Sequence, residues 1–129
     1  MTEDKITHKR WVGRYILGVS AIHTVFGVIV FQDVLMRIFA DGLFNAIGDD
    51  PLRGAVTWFL FTGFSLAVIG LAVDLLEKHA PTTKLSVLGW VVFAISGLGV
   101  ILMPASGFWL LMIPAFTMVL RSRSENFKT

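Results

Sequence analysis

His23 is the ionisable side chain that lies deepest inside an apolar stretch of this chain, and it is therefore the first candidate for chemistry. An ionisable group at bilayer depth is costly, so it normally faces the protein interior and has a polar partner. On a helical wheel His23 shares a face with Gly13, Ser20 and Gly27, whose small side chains allow close helix contact. We expect a buried ring that either hydrogen-bonds to a neighbouring helix or forms part of a ligand site.

Two kinds of partner are available to the His23 ring at its expected depth. Ser65 and Ser96 offer hydroxyl groups, and Pro114 cannot donate a backbone hydrogen bond, which frees the carbonyl of Leu110 one turn earlier. A neutral imidazole could donate to that carbonyl or to a serine hydroxyl. This arrangement predicts a histidine that links helices and has no chemical role.

A second set of polar and aromatic residues lies toward the ends of the apolar stretches and could form a ligand site with His23. Asp33 follows in the same stretch, about 15 Å away along a straight helix and rotated by about 80°. The two side chains cannot touch, but they could line two levels of one cavity, with Asp33 paired to Arg53 or Arg37 at its mouth. The alternative for Asp33 is an interfacial carboxylate in water or in a salt bridge. The predicted ligand-binding residues are His23, Asp33, Asn45, Arg53, Trp58, Ser106 and Trp109.

Other conspicuous residues have ordinary structural interpretations. Asp74 and Glu77, followed by Lys78, are typical of a solvated helix end, and Gly63 and Gly70 predict a second close-packing contact. Large aromatic residues near the ends of apolar stretches are typical of an aromatic belt, although two of them, Trp58 and Trp109, could instead wall a pocket. The belt residues are Trp11, Tyr15, Trp58, Trp90 and Trp109.

The composition argues against several classes of site. The chain has no cysteine, which excludes disulfides and thiolate metal sites, and His8, His23 and His79 offer no pair with metal-ligand spacing on one helix. A metal site within one chain is therefore not expected. No cofactor is predicted, except for haem if His23 acts as an axial ligand. The net charge of +2 comes from basic residues spread between apolar stretches, so nucleic-acid binding is not expected either.

Four apolar stretches, at about 11–36, 54–76, 85–103 and 107–120, determine the expected fold class. Hydrophobic residues make up 55% of the chain and charged residues 16%, and the charges lie mostly between these stretches. A helix needs roughly 20 residues to cross the hydrocarbon core, so the fourth stretch is short unless Arg121 and residues 104–106 extend it. We expect an all-α integral membrane protein, a four-transmembrane-helix bundle in a single domain covering residues 1–129.

The lysines and arginines predict the orientation of this bundle, because positive residues in short loops stay on the cytoplasmic side. Only Arg37 and Arg53 would lie outside. The others would lie inside, which places both termini in the cytoplasm of a multi-pass plasma-membrane protein: Lys5, Lys9, Arg10, Arg14, Lys78, Lys84, Arg121, Arg123 and Lys128.

The segment 37–50 between the first two spans mixes large apolar residues with polar ones at helix-like spacing. It should lie on the membrane as an amphipathic interfacial segment, or fold back as a lid over the outer mouth of the bundle. Phe39, Leu43, Phe44 and Ile47 are the residues that would contact lipid or the bundle. Asp49 or Asp50, immediately before Pro51, predicts the N-cap of the second span.

Four short motifs, distributed over nearly the whole chain, carry a resemblance to a known family. They are GVSAIHT at 18–24, DGLFN at 41–45, WFLFTG at 58–63 and MPASGFW at 103–109. In their order they resemble a family of small four-helix bacterial membrane proteins that is known only as a domain of unknown function. The resemblance implies four spans and a bacterial plasma membrane, and it implies no activity.

Three functions remain open at this point. The first is binding of a lipid or other lipophilic small molecule in an outward-facing intramembrane pocket near His23, with membrane lipids as partners. The second is a small membrane enzyme of isomerase or cyclase type, with His23 and Asp33 as catalytic acid and base candidates. The third is a dimeric haem protein in which each subunit supplies one axial His23, which would require a homo-oligomer.

Overall fold

The computed structural model describes residues 11–79, 82–102 and 107–126 as five α-helices and their connections, with no strand in these ranges. The helices are α1 (Val12–Val30), α2 (Gln32–Ala40), α3 (Pro51–His79), α4 (Thr82–Leu102) and α5 (Phe108–Asn126). The predicted all-α class is confirmed.

Three helices are long and apolar enough to cross a membrane, namely α1, α3 and the Leu85–Leu102 part of α4. The apolar part of α5, Phe108–Arg121, is shorter than the roughly 20 residues that a crossing needs. Residues 103–106, which could lengthen it, lie outside the described ranges. The structure therefore supports three candidate spans, and the fourth stays a prediction.

The stretch expected as one span at 11–36 divides into α1 and α2 at Phe31. The backbone angles of Phe31, φ −107° and ψ 21°, interrupt the helix. The helical hydrogen bonds nevertheless continue across this residue, because Phe31 N–H donates to the Gly27 carbonyl and Leu35 N–H donates to the Phe31 carbonyl, each at 3.0 Å. α2 is thus an irregular continuation of α1.

The connection from α2 to α3 is held by its own polar contacts. Asp50 caps α3 as predicted, because its Oδ1 accepts the backbone N–H groups of Leu52 at 2.9 Å and Arg53 at 3.2 Å, with Pro51 as the first helical residue. A small apolar cluster fixes α2 beside the start of α3 and consists of Val34, Ile38, Ala46 and Val56.

The long helices form two hairpin-like pairs, α1 with α3 and α4 with α5. Gly13, Ser20 and Gly27 are buried on α1, which confirms the predicted contact face. Gly63 and Gly70 of α3 lie in this same contact and not in a second one, since a Cβ on Gly70 would lie 2.9 Å from an α1 side chain. The two helices approach each other closely because both carry small residues at the crossing.

The two pairs meet at one end of the structure, where α1 and α4 begin and α3 and α5 end. We call this the terminal end. Among the described residues, α1 comes within 8 Å (Cα–Cα) of α5, and α3 of α4, whereas α1 and α4 do not come that close, nor do α3 and α5. The main apolar core lies at the terminal end, where all four long helices contribute: Val12, Ile16, Val73, Leu85 and Met118.

Candidate functional site

His23 contacts α3 through both an edge and a face of its ring. The ring stacks on Phe59 with a centroid separation of 4.0 Å, and Nε2 lies 3.0 Å from the Phe59 carbonyl oxygen. One turn away, the Ser20 hydroxyl donates to the Gly63 carbonyl at 2.7 Å. Two side chains of α1 are therefore bound to backbone carbonyls of α3.

The identity of the His23 partner differs from the expected one. The sequence predicts the Leu110 carbonyl or a serine hydroxyl, and the structure gives the Phe59 carbonyl. The reason is the pairing of helices: α1 packs along α3, whereas its contact with α5, which carries Leu110, is limited. The predicted role of His23 as a link between helices is nevertheless present in the structure.

The Phe59 contact also determines which His23 nitrogen carries hydrogen. A carbonyl oxygen can only accept, so Nε2 is the donor, and in a neutral imidazole Nδ1 is then an acceptor. Within residues 11–79, 82–102 and 107–126, no protein group donates to Nδ1. One half of the hydrogen-bonding capacity of the ring is therefore available to another molecule.

His23 also lies at the level where one face of α1 changes from buried to exposed. Along one face of α1 the exposed fraction is 0% at Val12 and 9% at Val19, His23 is partly buried, and the exposed fraction rises to 56% at Phe26 and 52% at Val30. On α4, the partly buried Val92 packs against the main core, whereas Ile95 and Leu102 farther along are exposed. The pairs are thus packed at the terminal end, and these faces of α1 and α4 are exposed beyond His23.

We use the name interhairpin cleft for the region between α1 and α4 that extends from the level of His23 toward the end that carries α2. The large apolar side chains that continue these faces beyond His23 are exposed, and they are Phe26, Val30, Ile95 and Leu102. An apolar recess with one convergent polar group has the general composition of a binding site for a small lipophilic molecule.

The other predicted site residues are not gathered around His23. Asp33 is exposed on α2, and its side chain forms no ion pair or hydrogen bond within the described parts of the chain. Trp58 and Trp109 are exposed on α3 and α5. Asn45 is exposed in the connection with a positive φ of 54°, and Ser106 lies outside the described residues.

Arg53 has other partners than the predicted Asp33. Its Nη1 lies 2.7 Å from Asp41 Oδ2 and 2.5 Å from the Ala46 carbonyl, and its Nε lies 3.5 Å from Asp50 Oδ2. Arg53 is therefore not paired with Asp33 in the structure, because three acceptors of the 41–50 connection surround the guanidinium. Arg53 organises this connection and does not line the cleft.

A polar cluster that differs from the sequence prediction is centred on Glu77 at the terminal end. The charge pattern predicts a solvated helix end, but the Glu77 side chain is only 1% exposed. Its Oε2 accepts the Gly13 N–H at 3.1 Å and its Oε1 accepts Arg121 Nη1 at 2.5 Å, so one carboxylate connects α1, α3 and α5. Beside it, Asp74 Oδ2 pairs with Lys78 Nζ at 2.8 Å.

A signal for this cluster does exist in the sequence. Gly63, Gly70, Asp74 and Glu77 follow one another at intervals of seven, four and three residues, which places them on one face of a helix. Since the glycines of that face contact α1, the two carboxylates must point the same way. The first turn of α1 also carries the positive end of its helix dipole, which favours carboxylates there.

Two other features limit what the described residues can do. No group of three His, Asp or Glu side chains in the described ranges could hold a metal ion. A shallow apolar groove on the α4–α5 pair has a volume of about 200 Å³, below the 300–1,000 Å³ of usual ligand pockets. Its lining residues are Trp90, Phe93, Phe116, Val119 and Leu120.

Comparison with known proteins agrees with the resemblance found in the sequence motifs. No curated protein and no solved structure matches the chain. A family model matches residues 7–125, which include all of the described helices except the last residue of α5. The chain therefore belongs to DUF6463, a family of unknown function.

Proposed function

We propose that this protein is an integral membrane protein that binds a lipophilic molecule in the interhairpin cleft, at the level of His23. The observation that carries the proposal is the loss of burial along α1, from Val19 to Phe26, on either side of His23. In a membrane such a cleft is occupied by hydrocarbon, either from bulk lipid or from a specific ligand. A partly buried ring with an available nitrogen favours a specific ligand.

The membrane location draws its support from the three candidate spans. Their apolar side chains are largely exposed in the isolated chain, as expected for helices that face lipid. A crossing by α5 would complete four spans, with Arg121 near one membrane surface and both termini in the cytoplasm. That topology, and the location in a bacterial plasma membrane, are part of the proposal.

The 41–50 connection is placed at the outer membrane surface in this proposal. Phe39, Leu43 and Phe44 are exposed, so they point away from the helices. Leu43 also has a positive φ of 66°, a backbone conformation that costs free energy in a residue with a side chain. This exposure favours contact with the interface over closure onto the cleft as a lid.

The experiment is a native mass spectrum of the protein purified in mild detergent, for the parent and two tryptophan variants of α1. We expect the parent to retain a discrete lipophilic mass and Val30→Trp to lose it, because the indole would fill the cleft. Val28→Trp is the matched control, since Val28 is similarly exposed, at 47% against 52%, and lies on the opposite face of the helix. Equal retention by all three proteins would contradict the proposal.

Catalysis by His23 and Asp33 and haem ligation by His23 stay predictions of the sequence. The geometry adds one condition to each. Asp33 is exposed on a different helix, so an acid–base pair would need a substrate that reaches both side chains. Haem ligation through Nε2 would require the bond to the Phe59 carbonyl to break.

A further inference from the structure

The hydrogen bond between His23 and Phe59 restricts the chemistry of the ligand. We infer that the ligand of the interhairpin cleft carries one hydrogen-bond donor, an alcohol or phenol O–H, which binds His23 Nδ1. The inference rests on the proposed function, since it names the class of molecule that the cleft would take. It follows from the two nitrogens of the neutral imidazole, of which one donates and the other accepts.

The assignment of Nε2 as donor leaves Nδ1 as an acceptor. The Phe59 oxygen at 3.0 Å is a carbonyl and can only accept. The hydroxyl that lies three residues before His23, that of Ser20, donates to the Gly63 carbonyl and is not available to the ring. Nδ1 therefore needs a donor from outside the described residues, and a polar atom without a partner in apolar surroundings carries a free-energy cost.

The depth of His23 restricts the shape of the ligand. Phe31, where α1 is interrupted, is about 12 Å from His23 along the helix axis, and Val12 is about 16 Å away in the other direction. A phospholipid keeps its charged headgroup at the membrane surface, so its polar atoms do not reach this depth. A slender amphiphile with one hydroxyl and an otherwise apolar body does, because only one polar group has to be buried.

The apolar walls of the cleft agree with such a ligand. Phe26, Val30 and Ile95 offer hydrocarbon contact beyond His23, and none of these side chains can bond to a second polar group. The stacked Phe59 ring covers one face of the imidazole, so a ligand approaches from the other face or from the edge that carries Nδ1. The geometry therefore fits a lipophilic alcohol or phenol and does not fit an ester, an ether or a plain hydrocarbon.

The test compares two ligands that differ only in the donor. The protein is reconstituted in nanodiscs, and the bound fractions of hexadecanol and of its methyl ether are measured by mass spectrometry against empty nanodiscs. We expect the alcohol to bind the parent protein about fivefold more tightly than the ether, which is the ratio given by one ordinary hydrogen bond. Removal of the acceptor in His23→Phe should abolish this ratio, because the aromatic ring is kept and the nitrogen is lost.

Two further variants distinguish a failure of the donor inference from a failure of the proposed function. Ser20→Ala removes a neighbouring hydrogen bond in the same helix contact and should keep the fivefold ratio. Equal binding of both compounds, reduced in both cases by Val30→Trp, would overturn the donor inference and leave the proposed function standing. If neither compound bound to the parent protein more strongly than to Val30→Trp, both the donor inference and the proposed function would be overturned. A preference for the ether would mean that Nδ1 carries the hydrogen, and it would overturn the assignment of the ring.

Discussion

The polar side chains at the terminal end and those at the level of His23 differ in how completely their hydrogen-bonding groups are satisfied. At the terminal end both oxygens of Glu77 accept hydrogen bonds, from Gly13 and Arg121. At His23 one nitrogen is bonded to Phe59, and Nδ1 has no donor in the part of the chain that the structure describes. A polar group with all of its hydrogen bonds made within the protein stabilises one arrangement of helices. A group with an unused acceptor can bind another molecule.

The apolar packing shows the same contrast. Side chains from all four long helices bury one another at the terminal end, and the burial on α1 is lost between Val19 and Phe26. Substitutions at the terminal end should therefore lower stability, and substitutions along the interhairpin cleft should alter binding with little effect on stability. Four predictions test this division.

The largest effect is expected for Arg121→Leu. The substitution leaves the Glu77 carboxylate, 1% exposed, without the guanidinium that accompanies it. Loss of one partner of a buried ion pair costs about 3–5 kcal/mol in the free energy of unfolding. The measurement is denaturant unfolding in mild detergent, followed by tryptophan fluorescence.

Two comparisons accompany that measurement. The double variant with Glu77→Leu should recover most of the loss, because no buried charge is then left alone. Arg14→Leu is the matched control, since the Arg14 side chain is 74% exposed and lies 4.0 Å from Asp74, and it should cost less than about 1 kcal/mol. If Arg121→Leu lowers the free energy of unfolding as little as Arg14→Leu does, the polar contacts at the terminal end do not determine the stability of the protein.

The next effect concerns the closest approach of α1 to α3. A Cβ on Gly13 would lie 2.6 Å from Asp74 Cα and 2.7 Å from Asp74 Cβ, and backbone atoms cannot rotate away. Gly13→Ala should therefore cost about 1–3 kcal/mol, as overpacking usually does. Gly18→Ala, on the same helix with nothing within 4 Å, should be neutral or slightly stabilising. A similar cost for both variants in thermal unfolding would show that the approach is less close than described.

Arg53→Gln should have a smaller and local effect. Arg53 binds Asp41, Asp50 and the Ala46 carbonyl, and the two carboxylates are about half exposed, so the loss in global stability should stay below about 1 kcal/mol. Hydrogen exchange of the 41–50 backbone should nevertheless become faster. Arg37→Gln is the control, because Arg37 forms no ion pair within the described ranges, and it should leave exchange unchanged.

The sequence predicts the long helices and the face that α1 buries, because both depend on local patterns. The small residues around His23 identify the face of α1 that contacts another helix, and Asp50 before Pro51 identifies the start of α3. Each of these signals lies within a few residues of the feature it predicts. The same holds for the candidate spans, which depend on apolar length alone.

Local sequence patterns do not predict which helices pack against each other. The carbonyl that His23 binds belongs to a residue 36 positions away, and the groups bound by Glu77 lie 64 and 44 positions away. Each depends on which helix packs on which, and several apolar helices offer similar faces. The possible Asp33–Arg53 pair is also absent from the structure, since Arg53 bonds to nearer acceptors in its own connection.

The smallest stability effect is expected for His23→Phe, although His23 is the ionisable residue that lies deepest in an apolar stretch. Phenylalanine keeps the stacking on Phe59, and a carbonyl inside a helix already accepts the helical N–H, so only one interhelical hydrogen bond is lost. Such bonds average about 0.6 kcal/mol in membrane proteins, and Ser20→Ala should cost a similar amount. Denaturant unfolding of both variants, measured together with Arg121→Leu, gives the comparison directly.

A loss of about 3 kcal/mol or more for His23→Phe would show that His23 contributes to stability as Glu77 and Arg121 do, and it would remove the distinction between the two regions. A small loss, together with changed ligand binding, would establish that the terminal end holds the helices together while His23 serves the cleft.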